Sequence, residues 1–389
     1  MGVSSLDAFA SGKLAALEKH QLRRRLYISD KASSARVSRN GRTLIDFSSN
    51  DYLGLSQHPA IKNAAAAATQ RYGVGATGSR LITGNHPLFQ ALEARLAALK
   101  GTDDCVVFGS GFLANSGIIP TLIGKADVVF MDELSHACIF AGARLTLAAQ
   151  HIFQHNDMGH LGELLRRHRH NHPQALIVTD GVFSMDGDLA PLGDLTDLAE
   201  AFDAWLMTDD AHGIGVVGDG RGSSFANGAH YAVPLQMGTL SKAIGGYGGY
   251  LCASTPVCDL VRNRCRTFVY STGLPPGPVA AAIAALDLIT ETPTLAGRPL
   301  ALARLFTRKL DLAVAESPIV PVILGDTTHT LDAAKMLEYE GFLVVPIRPP
   351  TVPDGTSRLR ITFSAAHRER DVEDLATLIL DRVIKERRI

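Results

Sequence analysis

Between residues 104 and 254 short apolar runs alternate with stretches of helical periodicity. The runs are DCVVF (104–108), ADVVFMD (126–132), ALIVTDG (175–181), AWLMTDD (204–210), PLQMGTL (234–240) and GYLCAS (249–254). Runs this short and this continuously apolar, separated by helices, predict strands of a mostly parallel sheet buried on both faces. Polar residues gather at the C-terminal ends of the runs, which is where open α/β sheets bind ligands.

Elsewhere the pattern is helical or mixed. Residues 6–26 read as an amphipathic helix, and TLIDFSSNDYLGL (43–55) as a short strand followed by a polar turn. HPLFQALEARLAALKG (86–101) predicts a helix, with Pro87 near its start, Leu88, Leu92, Leu96 and Leu99 on one stripe and Gly101 past its end. STGLPPGP (271–278) breaks the alternation. The remainder, including GFLVVPIRPPTVPDGTSRLRITFSAAH (341–367) and an amphipathic helix near 369–385, reads as a smaller α+β unit. The expected organisation is an N-terminal helix-and-strand segment over 1–45, a large α/β domain over 46–278 and a small domain over 279–389.

Composition narrows the class. The chain has 389 residues, 46% apolar and 20% charged, ordinary for a soluble globular enzyme with more than one core. A formal net charge of −1 gives no reason to expect nucleic acid as a partner. No apolar run reaches the ~18 residues of a membrane span, and the N-terminus lacks a signal core, so the expectation is a cytoplasmic protein. MGVSSL faintly resembles a myristoylation start, with nothing else pointing to a membrane. Cys105, Cys138, Cys252, Cys258 and Cys265 lack paired or metal-type spacing and read as reduced, mostly buried thiols. HRHNH (168–172) has no carboxylate or cysteine in useful register and reads as a solvated loop; no metal is expected.

The chemistry concentrates at strand ends. Lys242, in TLSKAIGGYGG, is either a surface cation beside a flexible loop or a nucleophile at the bottom of a site. MTDDAHGIGVVG (207–218) contains Gly213-x-Gly215-x-x-Gly218, but no strand runs straight into the glycines and no helix follows, so a dinucleotide fingerprint is rejected. Its polar residues, Asp209 and His212, leave the end of a predicted strand one strand before Lys242. An Asp, a His and a Lys at neighbouring strand ends suit pyridoxal phosphate. The carboxylate keeps the pyridine nitrogen protonated, the amine forms an imine with the aldehyde, and the imidazole bonds the ring oxygen.

A phosphate needs a cradle, and GSGFLANSG (109–117) follows a strand and opens a helix whose free N–H groups suit an anion. Thr239 and Ser241 add hydroxyls; a plain tight turn at Gly109 and Gly111 is the alternative. His136, in DELSHAC (132–138), is either a helix cap or a ring that stacks on a cofactor. DGVFSMDGD (180–188) puts Ser184 in a loop after a strand. RLRIT (358–362) presents Arg358 and Arg360 on one strand face, and an arginine grips a carboxylate with two hydrogen bonds. IRPPTVP (347–353) adds Arg348 and Thr351; LRRRL (22–26) reads as a solvated helix face.

Taken in order, FSSNDYLGL, GATGSRLITGNHPLFQALE, GSGFLAN, DELSHAC, DGVFSMDGD, DDAHGIGVVG, TLSKAIGGYGG, YSTGLPP and RPPTVPDGTSRLRIT resemble the α-oxoamine synthases among the fold type I pyridoxal-phosphate enzymes. The resemblance spans nearly the whole chain. It implies a fold type I transferase, with a large cofactor-binding domain on a mostly parallel sheet and a smaller α+β C-terminal domain. It also implies pyridoxal 5′-phosphate as cofactor and an acyl transfer onto an amino acid with loss of carbon dioxide. Within the family, IRPPTVP with SRLRIT is most like the branch that joins L-alanine to a pimeloyl thioester in biotin synthesis. Branches that use glycine or serine with other acyl groups usually differ there.

By resemblance, Lys242 would hold the cofactor, Asp209 the pyridine nitrogen and His212 the ring oxygen, with His136 stacked on the ring and catalytic. Gly111, Phe112, Ser184, Thr239 and Ser241 would line the cofactor and its phosphate. Thr272 would reach the phosphate of the neighbouring subunit in a homodimer with shared sites. Asn50 and Arg360 would meet the amino-acid carboxylate; Arg23, Arg348 and Thr351 would contact the acyl substrate. The partners implied are small molecules, with an acyl carrier protein or coenzyme A as thioester carrier. The family more often has Asn or Cys before His136, and Ser two residues after it; here Ser135 and Cys138 stand there, small enough to keep the stacking role.

Overall fold

All six apolar runs are strands of one sheet. The computed structural model describes residues 4–385. Three short N-terminal strands come first: β1 (Asp30–Ser33), β2 (Arg36–Arg39) and β3 (Arg42–Asp46). The central sheet then uses β4 (Asp104–Phe108), β5 (Val128–Asp132), β6 (Ala149–Phe153), β7 (Ala175–Asp180), β8 (Trp205–Asp209), β9 (Leu235–Thr239) and β10 (Gly249–Ala253). Their spatial order is β4-β10-β9-β8-β7-β5-β6. Only β10 runs against its neighbours; the other pairings are parallel. This is the mostly parallel sheet that the runs predict.

β6 escaped the sequence reading. It lies at the sheet edge, and its side chains alternate between half-buried and exposed until Phe153, so Gln150 and His151 interrupt any apolar run. The N-terminal helix is shorter than expected. Helix α1 spans Ser5–Lys19, capped by the Ser4 hydroxyl, and buries none of its residues. With no packed face to extend it, it stops at His20, and Gln21 turns out of it at a φ of 56°. LRRRL therefore lies outside the helix and is largely exposed rather than a helix face.

Helix α2 covers Pro59–Tyr72 and α3 Leu88–Lys100, the latter stopped by Gly101 as expected. Both pack against the helix Pro276–Glu291 in one core that also holds Tyr52, Ala243 and Tyr250. Two helices begin right at sheet ends: α4 (Gly111–Leu122) after β4, and α5 (Ala137–Leu145) after β5. In α3, Lys100 is fully buried and its amine lies 2.6 Å from Asp210. Alternation along the chain thus splits the Asp-Asp pair, with Asp210 spent on an internal ion pair.

The C-terminal part adds β11 (Ile319–Gly325), β12 (Phe342–Leu343), β13 (Val345–Ile347) and β14 (Ser357–Thr362). β11, β14 and β13 form an antiparallel sheet, while β12 pairs in parallel with β3. Phe47, just after β3, joins the C-terminal core. Its ring stacks on His367 at 4.1 Å. The imidazole accepts the Ser364 N–H at Nδ1 and donates from Nε2 to the Asp46 carbonyl, so it is neutral. Among the described residues no single helix is long and apolar enough to cross a membrane.

Burial holds His367 at about 4, against a rise from its bond to Asp46 and the charge of Asp371. A base depressed in the fold supplies stability that is present above its ordinary value and lost as pH falls. Between pH 6.5 and about 4 this group should cost the fold about 3 kcal/mol. Urea unfolding across that interval should show a shallower fall for His367→Gln than for the parent.

Candidate active site

The carboxyl ends of four adjacent strands deliver Asp132, Asp180, Asp209 and Thr239 to one edge of the sheet. Asp180 lies beside Asp209 in register, and Asp209 beside Met237. Lys242 follows Thr239 in a tight turn. Gly245 holds a φ of 71°, and a Cβ on it would stand 2.6 Å from the Ser56 nitrogen. Only glycine lets the chain turn this closely before re-entering the sheet as β10.

The Lys242 amine lies 2.7 Å from His212 Nε2. On the far side of that ring, Nδ1 is 2.6 Å from the Tyr52 hydroxyl. Burial pushes His212 well below its ordinary value, and the charges of Lys242 and Arg360 push the same way. Burial also lowers Lys242, with Asp209 and Asp180 pulling against it. The pair is an amine drawn toward its neutral form beside a neutral imidazole, which is the state of a nucleophile rather than of a surface cation.

Asp209 is buried and paired. One oxygen accepts from the Asn115 amide at 2.6 Å and the other from the Ala211 N–H at 3.0 Å. Its neighbour Asp180 is raised well above the carboxylate range, first by burial and then by Asp209. Asp180 accepts the His136 N–H at 2.7 Å and so sets the start of α5. His136 is the cap of that helix, as one of the two alternatives held. Its Nδ1 accepts the Cys138 N–H at 3.3 Å, with the Cys138 sulfur 2.7 Å away. The neutral ring therefore carries its proton on Nε2. Burial lifts the Cys138 thiol to about 12, so it stays protonated there.

The opening turn of α4 faces the lysine turn. Ser110 caps the helix, and a Cβ on Gly111 would stand 3.5 Å from the Thr239 Cβ. Thr239 and Ser241 share a 2.6 Å hydrogen bond. Unpaired helix N–H groups beside two hydroxyls make an anion cradle. Phe112 is exposed at the same helix start. A lysine amine, a buried carboxylate, a neutral imidazole and an anion cradle at one sheet edge fit pyridoxal 5′-phosphate.

The two arginines of β14 differ. Arg358 bonds the carboxylate of Asp186 and is neutralised. Arg360 is buried, and its acceptors are neutral: the Ser184 carbonyl, the Asn50 side-chain oxygen at 3.2 Å and the Tyr52 hydroxyl at 3.4 Å. Through Tyr52 it connects to His212 and hence to Lys242. Arg348 bonds the Arg23 carbonyl, and Arg24 bonds Thr351, so the N-terminal segment and the 348–351 loop meet. The Arg23 side chain itself pairs with Glu18. Thr272 pairs with Ser79 in an isolated bridge, and no side chain of the lysine group is bonded to it in this single chain. Tyr52, Asn115 and Asp180 went unremarked in the sequence, although each stands inside a motif that drew attention.

A model of the aminotransferase class I and II family matches residues 42–379. The chain belongs to that family, and within it to the α-oxoamine synthases that its motifs resemble. It is 57% identical over 377 residues to the 8-amino-7-oxononanoate synthase of Beijerinckia indica, covering 97% of this chain and 98% of the relative. Among solved structures, serine palmitoyltransferase of Sphingomonas wittichii is similar at a TM-score of 0.90 and 31% identity, covering 97% of this chain and 96% of that one. The 8-amino-7-oxononanoate synthase of Francisella tularensis is similar at a TM-score of 0.75 and 26% identity, covering 89% and 99%.

Asn115→Leu removes the amide donor of Asp209 while keeping the volume filled. It should lower unfolding stability by roughly 2 kcal/mol, read as a shift in urea midpoint at constant slope.

Proposed function

We propose that this chain is the enzyme that condenses L-alanine with a pimeloyl thioester, releasing carbon dioxide and a free thiol and giving 8-amino-7-oxononanoate for biotin synthesis. The observation that carries the reading is Arg360, a buried guanidinium with only neutral acceptors, linked through Tyr52 and His212 to the Lys242 amine. A buried cation without a carboxylate partner is made whole by a substrate carboxylate. The 57% identity to a synthase of that name supports the choice of reaction.

Pyridoxal 5′-phosphate, when bound, supplies an aldehyde that joins to amines and a protonated ring that withdraws electrons from an amino-acid Cα. The residues that would hold it are Lys242 at the aldehyde, Asp209 at the ring nitrogen, His212 at the ring oxygen and His136 against the ring face. Gly111, Phe112, Ser184, Thr239 and Ser241 would surround it, the two hydroxyls at the phosphate. Arg360 and Asn50 orient the alanine carboxylate. The Lys242 amine, already drawn to its neutral form, takes the Cα proton. His136 donates its Nε2 proton in a hydrogen bond to the thioester carbonyl oxygen as charge develops there. Arg23, Arg348 and Thr351 take the acyl chain, carried on coenzyme A or an acyl carrier protein.

The enzyme works as a homodimer in the cytoplasm, with Thr272 completing the partner's phosphate site. The exposure of Val74, Leu81, Ile82, Phe112, Tyr247 and Tyr270 supports pairing of two copies. A sister reaction with serine and a longer acyl group is the second reading, favoured by the 0.90 TM-score to serine palmitoyltransferase.

Thiol release from pimeloyl thioester with alanine, glycine and serine in turn should be fastest with alanine. Lys242→Ala should lose the absorbance band of the lysine-bound cofactor and at least about 10³-fold of the rate. A parent spectrum unmoved by pyridoxal phosphate and L-alanine would overturn the reading.

A further inference from the structure

Two loops deliver site residues. Residues 132–136 run from the end of β5 to His136, and residues 181–189 carry Ser184 and Asp186 to the arginines of β14. One side chain outside both loops joins them. His155, just past β6, has Nδ1 3.1 Å from the Asp132 carboxylate and Nε2 2.8 Å from the Asp188 carboxylate. Both ring nitrogens face acceptors, so both are donors and the ring is an imidazolium.

The neighbours reinforce this. Asp132 is fully buried and also accepts the N–H groups of Leu134 and Asn156, each at 2.8 Å. The Asn156 amide bonds Asp188 at 3.0 Å. The Phe183 ring stands edge-on to His155 at 4.3 Å, and the Phe183 N–H donates to the Asp188 carbonyl at 3.0 Å. On its far side the 181–189 loop meets the C-terminal sheet. A Cβ on Gly187 would stand 2.1 Å from the Ile319 carbonyl, and Arg358 and Arg360 bond Asp186 and the Ser184 carbonyl. The loop is thus held between an imidazolium on one side and two guanidiniums on the other.

We propose that His155 is a positioning residue, an imidazolium clasp between Asp132 and Asp188 that sets the 181–189 loop and, through the Ser184 carbonyl, the pose of Arg360. The inference rests on the assignment of Arg360 to the amino-acid carboxylate. Burial works against the charge on His155, but its bonds to Asp132 and Asp188 outweigh it and raise the group to about 10. The clasp is closed at neutral pH. Glu133, whose carboxylate accepts the His155 backbone N–H at 3.0 Å, adds a third carboxylate to its surroundings. Loosening the clasp frees the loop and lets Arg360 drift from the carboxylate while leaving Lys242, Asp209 and His212 in place.

The test uses the cofactor-loaded enzyme as His155→Gln, Asp188→Asn and the double variant. Each single variant should raise the L-alanine concentration for half-maximal change in cofactor absorbance about tenfold, with kcat within about twofold. The double variant should be no worse than the singles, because one clasp is broken either way. Amide exchange of the 181–190 peptide should accelerate about tenfold or more in each. Asp188 is partly exposed, so its variant carries the test if His155→Gln does not fold. An unchanged half-saturation in the folded variants, or effects that multiply in the double, would overturn the proposal. If the parent itself does not respond to L-alanine, the assignment of the reaction fails, and peptide exchange alone judges the clasp.

Discussion

Everything in this molecule turns on drawing one amine toward its neutral form. A lysine in water holds its proton until about pH 10.4, far too tightly to attack a carbonyl or take a proton from carbon. The fold counters this by enclosure. The turn after β9 points Lys242 at a buried, neutral His212, which Tyr52 braces from behind. Burial disfavours charge on both groups, and they are close enough that neither can carry a proton cheaply. The aspartates at the neighbouring strand ends keep the effect from running to excess, since Asp209 and Asp180 pull the amine the other way.

The second constraint is how charge is shared between the two arginines of β14. They occupy alternate positions of one strand and reach the same loop, yet only Arg358 meets a carboxylate. Arg360 is left with a carbonyl, an amide and a phenol, all neutral. Its full charge is therefore available to an incoming anion, and it is linked through Tyr52 and His212 to the Lys242 amine. The loop that both arginines meet belongs to the large sheet, while the arginines come from the C-terminal sheet. The proposed grip on the substrate carboxylate and the join between the two parts of the chain therefore fall to the same strand.

Much of this was legible in the sequence, and the parts that were not share a cause. Continuous apolar runs mark six of the seven strands of the central sheet, β4 at one edge among them, because helices and neighbouring segments bury both faces of each. β6, at the other edge, shows no such run because its side chains alternate between half-buried and exposed up to Phe153. Charge and spacing suggest a helix over 6–26 even where no face is packed to sustain it, and the helix ends at Lys19. Among site residues, those with charge or rarity stood out: Lys242, Asp209, His212, His136, Arg360. Tyr52 and Asn115 did not, since their roles depend on meeting His212 and Asp209 across 160 and 94 residues of chain. Nothing local marks such a meeting. The same holds for Asp209 and Asp210, adjacent twins that the strand turns to opposite duties.

The most direct test of the central claim is the titration of the Lys242 amine itself, in cofactor-free protein, by competitive labelling against pH with peptide mapping. The account predicts that Lys242 reacts as a neutral amine at pH values where exposed lysines are still protected, its midpoint displaced below the ~10.4 of a solvated lysine. A midpoint at or above that value would mean that enclosure beside His212 does not shed the charge, and would contradict the account.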